Sequence, residues 1–113
     1  MSSLGITRIP RNPIKYKLHH GLPAVGMWIS SCSPVVAEMM AHVGWDWLVM
    51  DAQHSLVDYE TMVHSFRAIQ LGGAVPMARV PWNDTGWIQR SLDAGAMGLV
   101  VPMTNSREET EQA

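Results

Sequence analysis

Four short runs that are apolar on both faces, each followed by a longer amphipathic stretch, constrain this chain most. The runs are residues 24–29, 47–50, 75–80 and 99–103. A strand with one wet face alternates apolar and polar residues, whereas an unbroken apolar run fits a parallel strand covered on both sides. The stretches between carry helix signals. Ser33-Pro34 reads as an N-cap with proline at the first helical position, followed by Val35, Val36, Met39, Met40 and Val43 at helical spacing up to a stop at Gly44. Asp58 caps a second helix, with Met62, Phe66 and Ile69 on one face and Gly72-Gly73 at its end. Asp84 or Thr85 opens a third with Ile88 and Leu92, ending at Gly95, and Ser106 with Glu109 forms a capping box for a fourth. Expected strands therefore span about 24–30, 46–51, 75–80 and 98–103, with helices near 34–43, 58–71 and 85–94.

An internal echo supports this reading. Gly44-Trp45-Asp46-Trp47-Leu48-Val49 and Gly95-Ala96-Met97-Gly98-Leu99-Val100 align at Gly, Leu and Val, each at a helix-to-strand joint. Such alternation gives a parallel α/β sheet, either a closed barrel or an open doubly wound sheet. A (β/α)8 barrel needs about 250 residues, so 113 residues read as a fragment. Residues 1–23 form an N-terminal extension, in which Asn12 caps a short helix with Pro13 at its first position. Residues 24–113 hold four βα units, the fourth helix truncated.

Composition narrows the function. With 47% hydrophobic and 16% charged residues, the chain reads as globular. A formal charge of −2 offers no cationic excess for a phosphate backbone, so no nucleic-acid partner is expected. Cys32 is the only cysteine, which excludes an intrachain disulfide and fits the cytoplasm. No apolar stretch reaches the roughly 18 residues of a membrane span.

In a barrel the chemistry sits just past the carboxyl ends of the strands. Asp51-Ala52-Gln53-His54 follows the second strand there. Histidine can pass protons in either direction near neutral pH, and a nearby carboxylate can hold the ring or orient a metal-bound water. The structural alternative is that Asp51 caps a loop and His54 is a surface residue. Arg79 lies inside an apolar run, where a cation is costly to bury without an anion. That anion is either a carboxylate or enolate ligand, or Asp51. Trp28 closes the first strand and either donates its indole N–H to a substrate or packs into the mouth. Cys32 reads as inert packing, His42 and His64 as solvent-facing, and the nine methionines as core filler.

Taken together, Gly26-Met27-Trp28, Ala37-Glu38, Gly44 through His54, Ala78-Arg79-Val80-Pro81-Trp82-Asn83-Asp84, Leu92-Asp93-Ala94-Gly95-Ala96 and Val101-Pro102-Met103 resemble the HpcH/HpaI aldolases over nearly the whole chain. The resemblance implies the N-terminal half, about (βα)4, of a (β/α)8 barrel. It implies a class II pyruvate aldolase that joins pyruvate to an aldehyde, or cleaves a 4-hydroxy-2-ketoacid, through a pyruvate enolate. By the same resemblance His54 is the catalytic histidine, Arg79 contacts the pyruvate ketone oxygen, and Asp93 is the acid paired with the histidine. Trp28 and Asp51 are pocket residues. Gln53 stands where many members carry glutamate. A divalent metal (Mg2+, Mn2+ or Co2+) is implied, with carboxylate ligands after the fifth and sixth strands and none within this chain. Asp93 falls on the barrel end opposite His54, so the pairing implies a neighbouring subunit and a homo-oligomer. The fragment alone is expected to be inactive. Two other readings stand beside the aldolase: a CoA-ester lyase of the citramalyl or malyl kind, and a non-catalytic half-barrel that assembles through its open strand edges.

Overall fold

A computed structural model describes residues 12–113; the first eleven residues of the N-terminal extension lie outside the described part. The chain runs α1 (Pro13–His19), β1 (Gly26–Ile29), α2 (Pro34–Ala41), β2 (Trp47–Asp51), α3 (Tyr59–Gly72), β3 (Val75–Arg79), α4 (Thr85–Ala94), β4 (Gly98–Val100) and α5 (Arg107–Gln112). The four strands form one sheet in sequential order, and every neighbouring pair is parallel. This is the strand–helix order of a partial (β/α)8 barrel.

The helices begin where side chains satisfy their first N–H groups. Asn12, Ser33, Asp58, Asp84 and Ser106 each accept a backbone N–H from the first turn, and Ser106 with Glu109 completes the capping box. Asp84, rather than Thr85, is the cap of α4. The hydrogen bond from the Thr61 N–H holds the Asp58 carboxyl below its usual range. Gly73 (φ 95°) and Gly95 (φ 116°) end α3 and α4 in the left-handed conformation that favours a residue without Cβ.

The two echoed joints are the same structure. Gly44 also has positive φ (113°), and two residues further on Asp46 N donates to Val25 O, as Met97 N does to Pro76 O two residues after Gly95, both at 2.8 Å. Strand β4 is shorter than the expected 98–103. Its last ladder bond runs from Val80 N to Val100 O; Pro102 has no N–H to donate, and Met103 turns into positive φ.

Register separates two faces. Ile29, Leu48, Met50, Ala78 and Leu99 pack with Ala37 and Ala41 of α2 and with Met62, Phe66 and Ile69 of α3. On the opposite face, strand register aligns Trp28 with Val49, Val49 with Met77, and Asp51 with Arg79 and Val100. The expected face of α3 is the buried one, but α2 differs. Of the five residues expected there, Met40 packs against the core, but Val35, Val36, Met39 and Val43 are exposed, and the buried positions are Ala37 and Ala41. Small residues win there because α2 and α3 pack closely: a Cβ on Gly72 would run into the Ala41 side chain. In α4, Leu92 is likewise exposed, while Ser91 is buried and Trp87 and Ala94 pack on the core. The methionines divide, Met50 and Met62 being core and Met27, Met39 and Met103 exposed.

Helix α1 crosses the amino end of the sheet. Asn12 Nδ2 donates to Met97 O at 2.7 Å, and Lys17 Nζ to Asp46 Oδ1 at 2.6 Å. Asp46 Oδ2 also accepts Val25 N, at 2.8 Å. The Lys17 hydrogen bond, followed by that from Val25, keeps the Asp46 carboxyl below its usual range. One end of the sheet is thereby tied down, leaving the carboxyl end for chemistry.

Candidate active site

Asp51 is the last residue of β2 and Arg79 the last of β3, and they are register partners. In parallel strands, register partners project to the same side, so the two side chains meet. Arg79 Nε donates to Asp51 Oδ1 at 3.0 Å, and Nη2 to Oδ2 at 2.6 Å. This is the bidentate fork, the strongest geometry an arginine and a carboxylate can adopt. Of the two partners expected for Arg79, the structure supplies Asp51. The guanidinium carbon lies 5.0 Å from the centre of the Trp28 ring, close enough for a cation–π contact. Trp28 therefore combines a contact at the mouth with 40% exposure.

Asp51 also sets the loop that follows it. Its Oδ1 accepts the backbone N–H of Gln53 at 2.9 Å and of His54 at 3.1 Å. The Ser55 hydroxyl donates to the Asp51 carbonyl and accepts Val57 N at 3.1 Å. Ala52 N donates to Arg79 O at 2.9 Å. One carboxylate thus ties the histidine-bearing loop to the arginine. The loop-capping role of Asp51 and the surface position of His54 are both present, His54 being exposed. Burial pushes the Asp51 carboxyl up, but hydrogen bonds from Arg79 and then from the His54 and Gln53 N–H groups outweigh it and bring it down to about 2. The same bond to Asp51 raises Arg79 above its ordinary value.

Trp28, Asp51, Gln53, His54 and Arg79 thus lie at the carboxyl end of the sheet. Asp93 does not join them. It is exposed near the carboxyl end of α4, where the chain has returned to the amino end of the sheet. Cys32, expected as packing, is exposed in the loop after β1. His42 and His64 are exposed, as expected.

Sequence reasoning missed two loop supports. Ser55 is one. The other is Asn83, whose Nδ2 donates to Glu109 O at 2.7 Å and ties the loop after β3 to α5. A serine two residues before Val57, in a stretch of turn formers, was the available signal for the first. Contacts 26 residues apart, like that of Asn83, leave none.

Among the described residues, no three of His, Cys, Asp and Glu come together as metal ligands. Asp51, the buried carboxylate at this end, already accepts four hydrogen bonds. The residues present do not fit a divalent-metal centre. A groove of about 430 Å³ lies between the amino ends of α3 and α4, lined by Val57, Asp58, Tyr59, Asp84, Gly86, Trp87 and Arg90. None of the strand-end residues lines it. No described helix is long and apolar enough to cross a membrane.

A parallel strand–helix repeat with an acid, an arginine and a histidine at the carboxyl end has the layout of a (β/α)-barrel enzyme. Residues 24–113 match the sequence model of the HpcH/HpaI aldolase/citrate lyase family, and the chain belongs to that family. It is 37% identical over 100 residues to the hydroxypyruvate/pyruvate aldolase of Agrobacterium fabrum, covering 88% of this chain and 38% of that protein. It is 37% identical over 102 residues to the 4-hydroxy-2-oxo-heptane-1,7-dioate aldolase of Klebsiella pneumoniae, covering 90% and 38%. The crystal structure of an HpcH/HpaI aldolase/citrate lyase family protein from Burkholderia cenocepacia superimposes with a TM-score of 0.84 at 32% identity, covering 90% of this chain and 41% of that one. Citrate synthase SbnG gives 0.80 at 33% identity, covering 87% and 40%. The chain spans about 38% of the length of these two curated relatives.

Proposed function

We propose that this chain forms the N-terminal part of a pyruvate aldolase, which cleaves or forms 4-hydroxy-2-ketoacids through a pyruvate enolate. The observation that supports it best is the state of Arg79. Its Nε and Nη2 are fixed by Asp51 and its guanidinium lies over Trp28, while no hydrogen bond from Nη1 is found among the described residues. A preorganised cation with a spare donor suits an oxygen on which negative charge develops.

In the cleavage direction, the 4-hydroxyl loses its proton as the C3–C4 bond breaks. The oxygen lone pair forms the aldehyde carbonyl, and the C3–C4 electron pair becomes the pyruvate enolate, which then takes a proton at C3. Arg79 donates to the enolate oxygen. His54, on the loop held by Asp51, receives or returns the hydroxyl proton. Trp28 limits the space beside the guanidinium, and Gln53 lends an amide to the same loop. Asp93 meets His54 across a subunit boundary, which makes the enzyme a homo-oligomer. A divalent cation, Mg2+, Mn2+ or Co2+, would be held by carboxylates outside these residues in the complete enzyme and would supply Lewis-acid polarisation there. A cytoplasmic setting with small-molecule substrates completes the reading.

The test is pyruvate release from a 4-hydroxy-2-ketoacid by the complete enzyme. Arg79→Ala should lower kcat by about 10²–10³, the range for a lost oxyanion donor. A wild-type rate in that variant would refute the assignment.

A further inference from the structure

A group that passes a proton has to come within about 2.6–3.2 Å of the oxygen it serves, so the aim of the His54 ring matters to the chemistry. Among the described residues, His54 is held by its backbone N–H, which donates to Asp51 Oδ1 at 3.1 Å, and not by its ring; the residue is exposed. Within one chain, the direction of the imidazole therefore follows from the course of the loop that carries it.

That loop is anchored at both ends. Asp51 closes β2, is buried and has its carboxylate forked by Arg79. Val57 is buried in the same core cluster as Met62 and Phe66. His54 lies midway, three residues from each. One side chain spans the interval. The Ser55 hydroxyl donates to the Asp51 carbonyl and accepts the Val57 N–H at 3.1 Å, so a single oxygen joins the strand end to the core-anchored end of the loop. No backbone carbonyl among the described residues takes that Val57 N–H. Serine can serve both ends because its hydroxyl is donor and acceptor at once, and local side chain–backbone bonds of this kind set the backbone where no ladder or helix does. Asn83, the other loop support, bonds to α5 and leaves this loop alone.

We propose that Ser55 is a positioning residue for His54: by bridging Asp51 and Val57 it fixes the loop so that the imidazole reaches the 4-hydroxyl of the ketoacid. This rests on the aldolase reading, in which His54 moves that proton and Arg79 stabilises the enolate. The two roles separate in the complete enzyme. Cleavage of a 4-hydroxy-2-ketoacid needs both groups, whereas exchange of the C3 hydrogens of pyruvate in D2O, followed by proton NMR, forms the enolate with no 4-hydroxyl present. A wild-type enzyme with neither activity removes the aldolase reading, and a wild-type cleavage rate in His54→Ala removes the histidine from it; the proposal falls with either. Otherwise Ser55→Ala should lower kcat for cleavage by about 10- to 100-fold, since a misplacement of about 1 Å can cost about 10², with KM and exchange little changed. Ser55→Cys, close in size but a weak hydrogen bonder, should behave alike, and Ser55→Thr, which keeps the hydroxyl, should recover most of the rate. In a His54→Ala background Ser55→Ala should cost nothing further, because residues that act as a unit are not additive. Urea midpoints show which variants fold. The same loss in the His54→Ala background, or equal falls in cleavage and exchange, would assign Ser55 to the fold alone and overturn the proposal. So would a wild-type rate in either folded variant lacking the hydroxyl, or failure of both to fold.

Discussion

Replacing Asp51 with asparagine keeps the shape of the side chain and removes its charge. The backbone N–H groups of Gln53 and His54 keep an oxygen to bond, but the fork to Arg79 loses its Oδ2 acceptor. The carboxyl is lowered from 3.8 to about 2 in the folded chain. At about 1.4 kcal/mol per pKa unit, that difference corresponds to roughly 2 kcal/mol of stability. Because the folded pKa is depressed, the stabilisation is complete above pH 4 or so and fades as the pH falls toward 2. Asp51 is 2% exposed, so solvent screening at the carboxylate is slight. The Arg79 side chain is 23% exposed, and water recovers part of its solvation in the variant. The loss should therefore stay below the roughly 3–5 kcal/mol of breaking a fully buried pair. Urea unfolding of both proteins at pH 7, 4, 3 and 2.5 measures the gap between them. Asp46 and Asp58 are also lowered, but they are common to both proteins and cancel. A gap of about 2 kcal/mol at pH 7 that shrinks to less than half of that by pH 2.5 is expected, since the stabilisation is lost as the pH falls through the folded pKa of about 2. Equal stability at pH 7, or a gap unchanged down to pH 2.5, would refute the coupling of Asp51 to Arg79.

Three shorter predictions concern other parts of the chain. His54→Ala in the complete enzyme should lower kcat by about 10²–10⁴, as for a lost proton-transfer group, while calorimetry shows divalent-metal binding unchanged; wild-type cleavage after chelation would remove the metal from the reading. Gly73→Ala places a Cβ at φ 95° and should cost about 1 kcal/mol or more in thermal unfolding. Asp84→Ala removes the side chain that accepts Trp87 N at 2.9 Å and should cost about 1 kcal/mol, read as a lower urea midpoint.

Much of the fold was legible because its signals are local. A cap acts on N–H groups two or three residues away, and a left-handed glycine stops a helix where it stands. Asn12, Ser33, Asp58, Asp84, Ser106, Gly44, Gly73 and Gly95 could therefore be read in sequence, and the parallel sheet followed from the spacing between them. Helix faces were harder. The apolar spacing of α2 pointed to Val35, Val36, Met39, Met40 and Val43, yet only Met40 of these packs against the core and Ala37 and Ala41 are the buried positions, because the closeness of α3 selects for small volume over hydrophobicity.

The sequence by itself determined which groups stand at the carboxyl ends of the strands, since each lies at a fixed offset from a strand. It left open what Arg79 meets. Only the tertiary structure decided that, by aligning residue 51 with residue 79 across two strands so that the carboxylate forks the guanidinium over Trp28. A register shifted by one residue would have sent the two side chains to opposite faces. The bond from Asn12 to Met97, 85 residues apart, is of the same kind. Local propensity fixes where elements begin and end, but packing of the whole sheet fixes which of their side chains share a place.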